Sequence, residues 1–262
     1  MGIRHESNEY QIPRGRVYFD RFNEAGETTG EFPFGNCPSF TISIESTKSD
    51  HYSSETGLRQ KDASVVVEVN RTAKISCDNV SAENLARFLA GEVEEMKQTA
   101  GSVTDEVIKV RKGRIYQLGK TATDPSGARA VSAVTVKGSD DGALVLGTDY
   151  ELDAELGRLQ ILAEGSVTDD ELIKVSYTKP AKTWKRIKTG ASTEVAGALR
   201  VIADNASGAD RDYYAPKVTL TPSGDLPVIA EGTDWVSMEF ELEVLKPANL
   251  EALYVDNRPA SI

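Results

Sequence analysis

The sequence contains very few of the residues that staple small folds or bind metals. Among its 262 residues there are two cysteines, Cys37 and Cys77, and two histidines, His5 and His51. Two cysteines are too few for a disulfide framework. The histidines lie far apart and have no metal-ligand spacing with each other or with the cysteines. We therefore expect a fold held together by its apolar core, with no metal site.

Long apolar runs are also missing. No stretch approaches the roughly 18 apolar residues of a membrane-spanning helix. The opening residues, MGIRHESNEY, lack the apolar centre of a signal peptide. We expect a chain that is made in a reducing cytoplasm and does not insert into a membrane. The apolar content of 39% is enough to bury a core in one large or two ordinary domains.

Motifs of catalysis are absent too. Neither a G-x-S-x-G elbow nor an H-E-x-x-H pair occurs. Residues 113–121, GRIYQLGKT, have five residues between their glycines where a phosphate loop has four, and no helix pattern follows them. The sequence therefore predicts no enzyme and no cofactor.

Negative charge is concentrated in one segment. The net charge is −11, and residues 139–172 hold ten acidic side chains against one basic side chain, Arg158. An excess of this sign argues against a protein that grips DNA phosphates. Asp140, Asp141 and Asp149 lie near turns, but they lack the register of an EF-hand calcium loop. We interpret the segment as a solvated, charged surface.

Alternating patterns predict a β protein. Strand-like alternation covers residues 15–22, 40–47 and 63–76, and it is clearest from Val236 to Val244. There Met238, Phe240 and Leu242 share one face with the two valines, and glutamates occupy most of the other face. This pattern is typical of a sheet with one packed face and one wet face.

One short helix is predicted within residues 78–92, DNVSAENLARFLAGE. Ser81 is the expected N-cap, Leu85, Phe88 and Leu89 form an apolar stripe, and Gly91 follows near the end. A helix of about ten residues is stable only when it packs against other structure. We therefore expect Leu85, Phe88 and Leu89 to contact a sheet or a neighbouring subunit.

The middle of the chain has a different sequence pattern. Short strand patterns recur between turn signals over residues 123–180, which predicts a small β-sandwich domain. The chain then divides into a first part, 1–122, an inserted β domain, 123–180, and a second part, 181–262. GSVTDEVIKV from position 101 nearly repeats as GSVTDDELIKV from position 165, which we interpret as a reused turn-into-strand unit rather than a duplicated domain.

Residues 44–69, IESTKSDHYSSETGLRQKDASVVVEV, pose a question. About eighteen polar residues separate two strand-like ends, whereas hairpin loops usually have about 2–5 residues. A loop of that length inside a domain is uncommon unless it has a function. We therefore expect this segment to bind a partner.

The order of these features resembles that of a known family. IPRGRVYFDRF, then GNCPSFTISIES leading into HYSSETGLRQKD, a second strand and the helix SAENLARFLAGE resemble the major tail tube proteins of long non-contractile tailed phages, the siphophages. The C-terminal stretch from GALRVIADNASG to VSMEFELEVLKP resembles their closing strands. GTDYELDAELGRLQILAEG is similar to inserts in larger virion proteins. A chi-like siphophage is the suggested source.

The resemblance implies an architecture and a function. The subunit is expected to be a β-sandwich that forms an inner β-barrel in hexameric rings, and the rings stack into the tail tube through which double-stranded DNA is ejected. Expected partners are further copies of the chain, the tape-measure protein, the tail terminator and the tail tip proteins. DNA passes without specific binding. The protein is expected in the virion, after synthesis in the host cytoplasm.

The resemblance also assigns roles to residues. In this family a long hairpin loop reaches the neighbouring ring, and here that inter-ring stacking loop is expected to comprise Lys48, Asp50, His51, Tyr52, Glu55, Leu58, Arg59, Lys61 and Asp62. With strand phase, it gives a lumen-facing set of Thr41, Ser43, Glu45, Glu68, Asn70, Glu239, Glu241 and Glu243, which would form an acidic lumen. The alternative interpretation is a virion decoration or adhesin-like β-sandwich binding protein, in which these glutamates are an ordinary wet face.

Overall fold

The computed structural model describes residues 9–55, 57–190 and 195–258, so His5 lies outside the described residues. Strands hold 55% of the chain and a helix 3%; within the described ranges the strands form several antiparallel sheets, there is one helix, and no barrel closes. The expectation of an all-β fold with one short helix is confirmed.

The strands and the helix follow one another along the chain with these bounds: β1 Gly15–Arg21, β2 Phe32–Gly35, β3 Ser39–Ser53, β4 Gln60–Cys77, α1 Ala82–Phe88, β5 Gly91–Gln98, β6 Gly101–Val110, β7 Ile115–Gln117, β8 Ser132–Lys137, β9 Tyr150–Asp153, β10 Arg158–Ile161, β11 Glu171–Lys179, β12 Lys182–Thr189, β13 Val195–Ala203, β14 Arg211–Ser223, β15 Met238–Val244 and β16 Tyr254–Asn257.

The chain forms two compact units, and the first comprises Met1–Glu94 and Ile187–Ile262. Its sheet runs β2-β1-β13-β14-β15-β4-β3, and β16 pairs with β14. The sheet curls around one apolar core without closing. In that core the ring of Phe34 meets Phe240 at 5.5 Å and Phe88 meets Phe240 at 5.8 Å, both edge to face.

Alternation along β15 is as predicted. Met238, Phe240 and Leu242 are buried in the core, and the glutamates between them are exposed. Val236 lies outside the strand, which begins at Met238. The wet and packed faces of this strand are therefore correctly read from the sequence.

The helix begins where expected. Ser81 is the N-cap, and its hydroxyl accepts a hydrogen bond from the Asn84 backbone N–H at 3.1 Å. Leu85 and Phe88 contact the core. Leu89 does not, and 42% of its surface is exposed, because the helix ends at Phe88 and Leu89 is its C-cap. Leu85 and Phe88 therefore pack on the first unit's own core, and a contact of Leu89 with a neighbouring subunit stays a prediction.

The second unit comprises Glu95–Arg186. It holds two three-stranded sheets, β7-β10-β9 and β6-β11-β8, around its own core, which includes Leu118, Leu159 and Ile173. The unit starts before the predicted boundary at 123 because β6 pairs with β11 along its length. The two near-repeats are thus sheet neighbours, with Ile108 directly opposite Ile173. β5 pairs with β12.

Candidate assembly surfaces

The segment that the sequence presents as a long loop is mostly strand. β3 and β4 pair from Ser39 opposite Ser76 to Ser53 opposite Gln60, and the described residues between the strands, 54–55 and 57–59, form the turn. The interpretation of this segment as a loop of about eighteen residues is wrong, because polar cross-strand pairs also stabilise a two-stranded ribbon. We call the part of this hairpin formed by residues 44–71 the ribbon.

Polar side-chain pairs link the two strands of the ribbon. His51 Nδ1 lies 2.6 Å from Asp62 Oδ1, and Lys61 Nζ lies 2.7 Å from Asp50 Oδ1. The hydrogen bond from Lys61 holds the pKa of the Asp50 carboxyl below its usual value. These pairs are solvent-exposed, so each adds little stability but helps to set the register.

The residues of the predicted stacking loop divide between strand and turn. Four are in β3, two are in β4 and three are in the turn: Lys48, Asp50, His51 and Tyr52; Lys61 and Asp62; Glu55, Leu58 and Arg59. The Arg59 guanidinium lies over the Tyr52 ring at 4.4 Å. Leu58 is 66% exposed at the tip. The structure therefore gathers these residues at the far end of one ribbon.

The ribbon is apolar as well as long. Val65, Val66 and Val67 expose 62%, 50% and 62% of their surfaces, and Ile44 exposes 62%. Because consecutive strand residues point to opposite faces, these side chains lie on both faces of the ribbon. The ladder between β15 and β4 stops at Thr72, so within the described residues the ribbon is a two-stranded sheet with free edges.

The predicted lumen-facing residues share one face of the first unit's sheet. β3, β4 and β15 are neighbours, and their register aligns the predicted residues of the three strands in rows. In these rows Thr41 lies beside Lys74 and Glu241, Ser43 beside Thr72 and Glu243, and Glu45 beside Asn70, with Glu68 and Glu239 at the two ends. We call this the polar face.

Carboxylates dominate the polar face. It carries the five glutamates of the predicted set, and Lys74 is the cation among them. Lys74 Nζ lies 2.6 Å from Glu241 Oε1, and this hydrogen bond raises the pKa of the lysine above its usual value. One lysine leaves most of this negative charge uncompensated.

Another exposed apolar segment connects β14 to β15. In this connection, residues 224–237, Val228, Ile229 and Trp235 expose 88%, 95% and 93% of their surfaces. Side chains of this size are rarely so open to water in a free subunit. The sequence does not single them out, since Trp235 fits equally well as the first residue of a strand.

A cleft of about 900 Å³ opens along the curled sheet of the first unit. Val17 of β1, Phe40 and Ile42 of β3 and Val201 of β13 supply its apolar wall. β1 and β3 are far apart in strand order, so the cleft marks the place where the curled sheet fails to close.

A polar pair inside the core escapes sequence analysis. Asn84 Nδ2 donates to the carbonyl oxygens of Phe34 at 2.7 Å and of Asn79 at 2.9 Å, and its Oδ1 accepts from Arg87. The Arg87 guanidinium lies 4.9 Å from the centre of the Phe34 ring. Burial lowers the pKa of Arg87 to about 10. These contacts lock the helix onto β2.

The two cysteines lie together in the first unit. A hydrogen bond between the thiols raises the pKa of Cys37 far above its usual value and, as the largest of several causes, lowers the pKa of Cys77 to about 7. Cys77 is completely buried, and its Sγ lies 3.2 Å from the carbonyl oxygen of Phe34. Both thiols are free. Their packing makes them part of the core.

Most acidic side chains of residues 139–172 are exposed, as predicted, and Asp149 is the buried exception. Asp149 is buried, and its carboxylate accepts hydrogen bonds at 2.8 Å from the backbone N–H groups of Val145 and Ser166 and from the Ser166 hydroxyl. These bonds hold its pKa below the usual value. Asp141 pairs with Lys174 at 2.7 Å. These carboxylates fasten turns to strands.

Two features are missing from the described residues: a group of metal ligands and a long apolar helix. Within residues 9–55, 57–190 and 195–258, no three His, Cys, Asp or Glu side chains are grouped to hold a metal ion. In the same ranges no helix is both long and apolar enough to cross a membrane. The features that call for an explanation are therefore surfaces.

Comparison with known proteins gives one family. A family model described as "Protein of unknown function UCP028589" matches residues 10–251, and the chain therefore belongs to that family. Among curated proteins, none matches the chain.

Proposed function

From the surfaces above, we propose that the chain is a structural virion protein. It polymerises as stacked hexameric rings into the tail tube of a non-contractile phage, and double-stranded DNA leaves through the tube. Its partners in the virion are the tape-measure, terminator and tail tip proteins.

The ribbon carries the proposal. A lone two-stranded hairpin is marginally stable in water, and this one also exposes three consecutive valines and two free edges. Such a surface invites pairing, and repeated subunits that pair edge to edge around a ring cover it. A ribbon that reaches beyond its own core also suits contact with the next ring. Head-to-tail contact along one axis produces a filament.

The polar face supports a conduit. If the sheets of six subunits line the lumen with this face, the glutamates form rings of negative charge. DNA carries one negative charge per about 1.7 Å of duplex axis, so such a wall repels it and offers no phosphate-gripping site. DNA would therefore move along the lumen without being held at binding sites on its wall.

The second unit is assigned to the tube exterior. It has its own core, so the first unit does not depend on it for burial. Replacing residues 99–181 with a short Gly/Ser link joins β5 to β12, whose ends lie close enough for Gln98 Nε2 to donate to the Pro180 carbonyl at 2.8 Å. Filaments of this variant are expected, and loss of all assembly would contradict the exterior assignment.

Excision of the ribbon tests the proposal. Thr47 lies directly opposite Glu68, so replacing residues 48–67 with Asn-Gly closes a short hairpin without changing the register below it. We expect a soluble, folded subunit that forms no filaments in negative-stain electron microscopy. A variant that still forms normal filaments would contradict the role of the ribbon. A decoration or adhesin-like protein, the alternative function, would form no filaments even with the ribbon intact.

A further inference from the structure

The connection between β14 and β15, residues 224–237, has the composition of a binding knob. Trp235, Ile229 and Val228 project into solvent with less than an eighth of their surfaces covered. Tryptophan is among the residues most enriched at the energetic centres of protein interfaces. Three acidic side chains flank the apolar ones: Asp225, Glu231 and Asp234.

The knob's charge is unbalanced within its own subunit. No basic residue occurs between Lys217 and Lys246 in the sequence. Within the described residues, none of the knob's three carboxylates forms an ion pair. The knob therefore presents apolar bulk together with negative charge that its own chain does not neutralise.

The cleft between β1 and β3 has the complementary character. Val17, Phe40, Ile42 and Val201 give it an apolar part, and its polar lining carries Arg14, Arg16 and Arg211 against one carboxylate, Asp204. Arg211 is paired with Glu9 at 2.7 Å, whereas Arg14 and Arg16 are exposed and form no ion pair with an acidic side chain in the described part of the chain. The volume of about 900 Å³ is in the range of pockets that enclose a group of side chains.

We propose that the knob of one copy inserts into the cleft of a second copy. Trp235 fills the apolar part of the cleft, and the knob's carboxylates meet Arg14 and Arg16 on its rim. Because knob and cleft are different surfaces of one chain, the contact is heterologous and propagates around a ring. This inference rests on the proposed function, and it names the segments that join neighbouring subunits.

Charge exchange provides the test. One variant, Asp225→Lys/Glu231→Lys/Asp234→Lys, has a basic knob and the normal basic cleft. The other, Arg14→Glu/Arg16→Glu, has an acidic cleft and the normal acidic knob. Each alone sets like charges against each other, whereas a 1:1 mixture permits alternating subunits in which every knob meets an opposite charge.

All substituted side chains are exposed, and Arg14 keeps the backbone bond in which its N–H donates to Asn205 Oδ1 at 3.1 Å. We therefore expect the thermal unfolding of both variants to match that of the wild type. The matched control, Arg114→Glu/Arg158→Glu, changes two exposed arginines of the second unit that also form no ion pair in the described residues. The control is expected to assemble like the wild type.

Sedimentation and negative-stain microscopy read the outcome. We expect assembly by the wild type and the control, at least tenfold weaker assembly by either variant alone, and recovery in the mixture. As a second readout in a Trp184→Phe background, quenching of Trp235 fluorescence by acrylamide is expected to fall on assembly.

Filaments from the wild type and from both variants alone would overturn the knob-and-cleft contact and leave the tube intact. Variants that fail alone and also fail when mixed would overturn the pairing of these two surfaces. A wild-type chain that never self-associates would overturn the proposed function and this contact together.

Discussion

Val65, Val66 and Val67 are exposed on both faces of the ribbon in the separate subunit, and the proposed tube covers them. Replacing all three with threonine keeps the β-branched shape and the strand preference but adds a polar hydroxyl to each. The change therefore acts mainly on whatever buries these side chains. We expect it to weaken polymerisation and to leave the folded subunit almost unchanged.

The expected loss of assembly free energy follows from the exposed fractions of the three valines. Fully burying a valine side chain contributes about 1.5–3 kcal/mol. The valines still expose 50–62% of their surfaces, so assembly has roughly 1–2 kcal/mol to gain from each and roughly 3–5 kcal/mol from the three. At about 1.4 kcal/mol per factor of ten, the triple variant needs a roughly 100- to 4000-fold higher concentration to polymerise.

Pelleting over a concentration series measures this threshold, and thermal unfolding by circular dichroism measures the subunit. The matched control is Val107→Thr/Val145→Thr, because these valines of the second unit are 58% and 56% exposed but lie outside the ribbon. We expect the control to polymerise like the wild type. A triple variant with the wild-type threshold would refute the burial of the ribbon.

Three further changes test other parts of the account. Replacing Glu239, Glu241 and Glu243 with lysine should leave filaments intact and make them retain double-stranded DNA in a filter-binding assay; retention equal to the wild type's would contradict a lumenal polar face. Asn84→Ala deprives the buried Arg87 guanidinium of the amide oxygen that accepts from it and removes one of the hydrogen bonds at each of the Phe34 and Asn79 carbonyls, and should lower the free energy of unfolding by about 2–4 kcal/mol in a urea titration. A loss below about 0.5 kcal/mol would show that the network is not needed. Asp149 has a lowered pKa in the folded state, so its carboxylate stabilises the fold above its unfolded pKa of about 3.8, and this stabilisation disappears as the pH falls through the folded pKa. The difference in urea midpoint between the wild type and Asp149→Asn should therefore be constant from about pH 8 to 5 and shrink below about pH 4. A difference independent of pH would contradict this role.

Local signals in the sequence predict those parts of the fold that depend on near neighbours. Ser81 caps the helix because its hydroxyl satisfies a backbone donor three residues away. The alternation in β15 predicts its packed and wet faces because a strand exposes every second residue. The register of β3 and β4 then brings the predicted polar residues onto one face.

Contacts between distant segments are what the sequence does not reveal. After Ile44, β3 shows no alternation of apolar and polar residues. Its pairing with β4 depends there on contacts between polar side chains such as His51 and Asp62. The sequence gives no sign that the polar residues Asn84 and Arg87 are buried, because their burial depends on contacts with Phe34 of β2. The second unit begins near Glu95 because β6 pairs with a strand about seventy residues later in the chain, which no local pattern indicates.

Electron microscopy of the purified full-length chain tests the central claim most directly. The account predicts hollow filaments, or six-fold rings, that assemble from the chain alone as its concentration is raised. A chain that remains a folded monomer at all concentrations, with neither rings nor filaments, would contradict it.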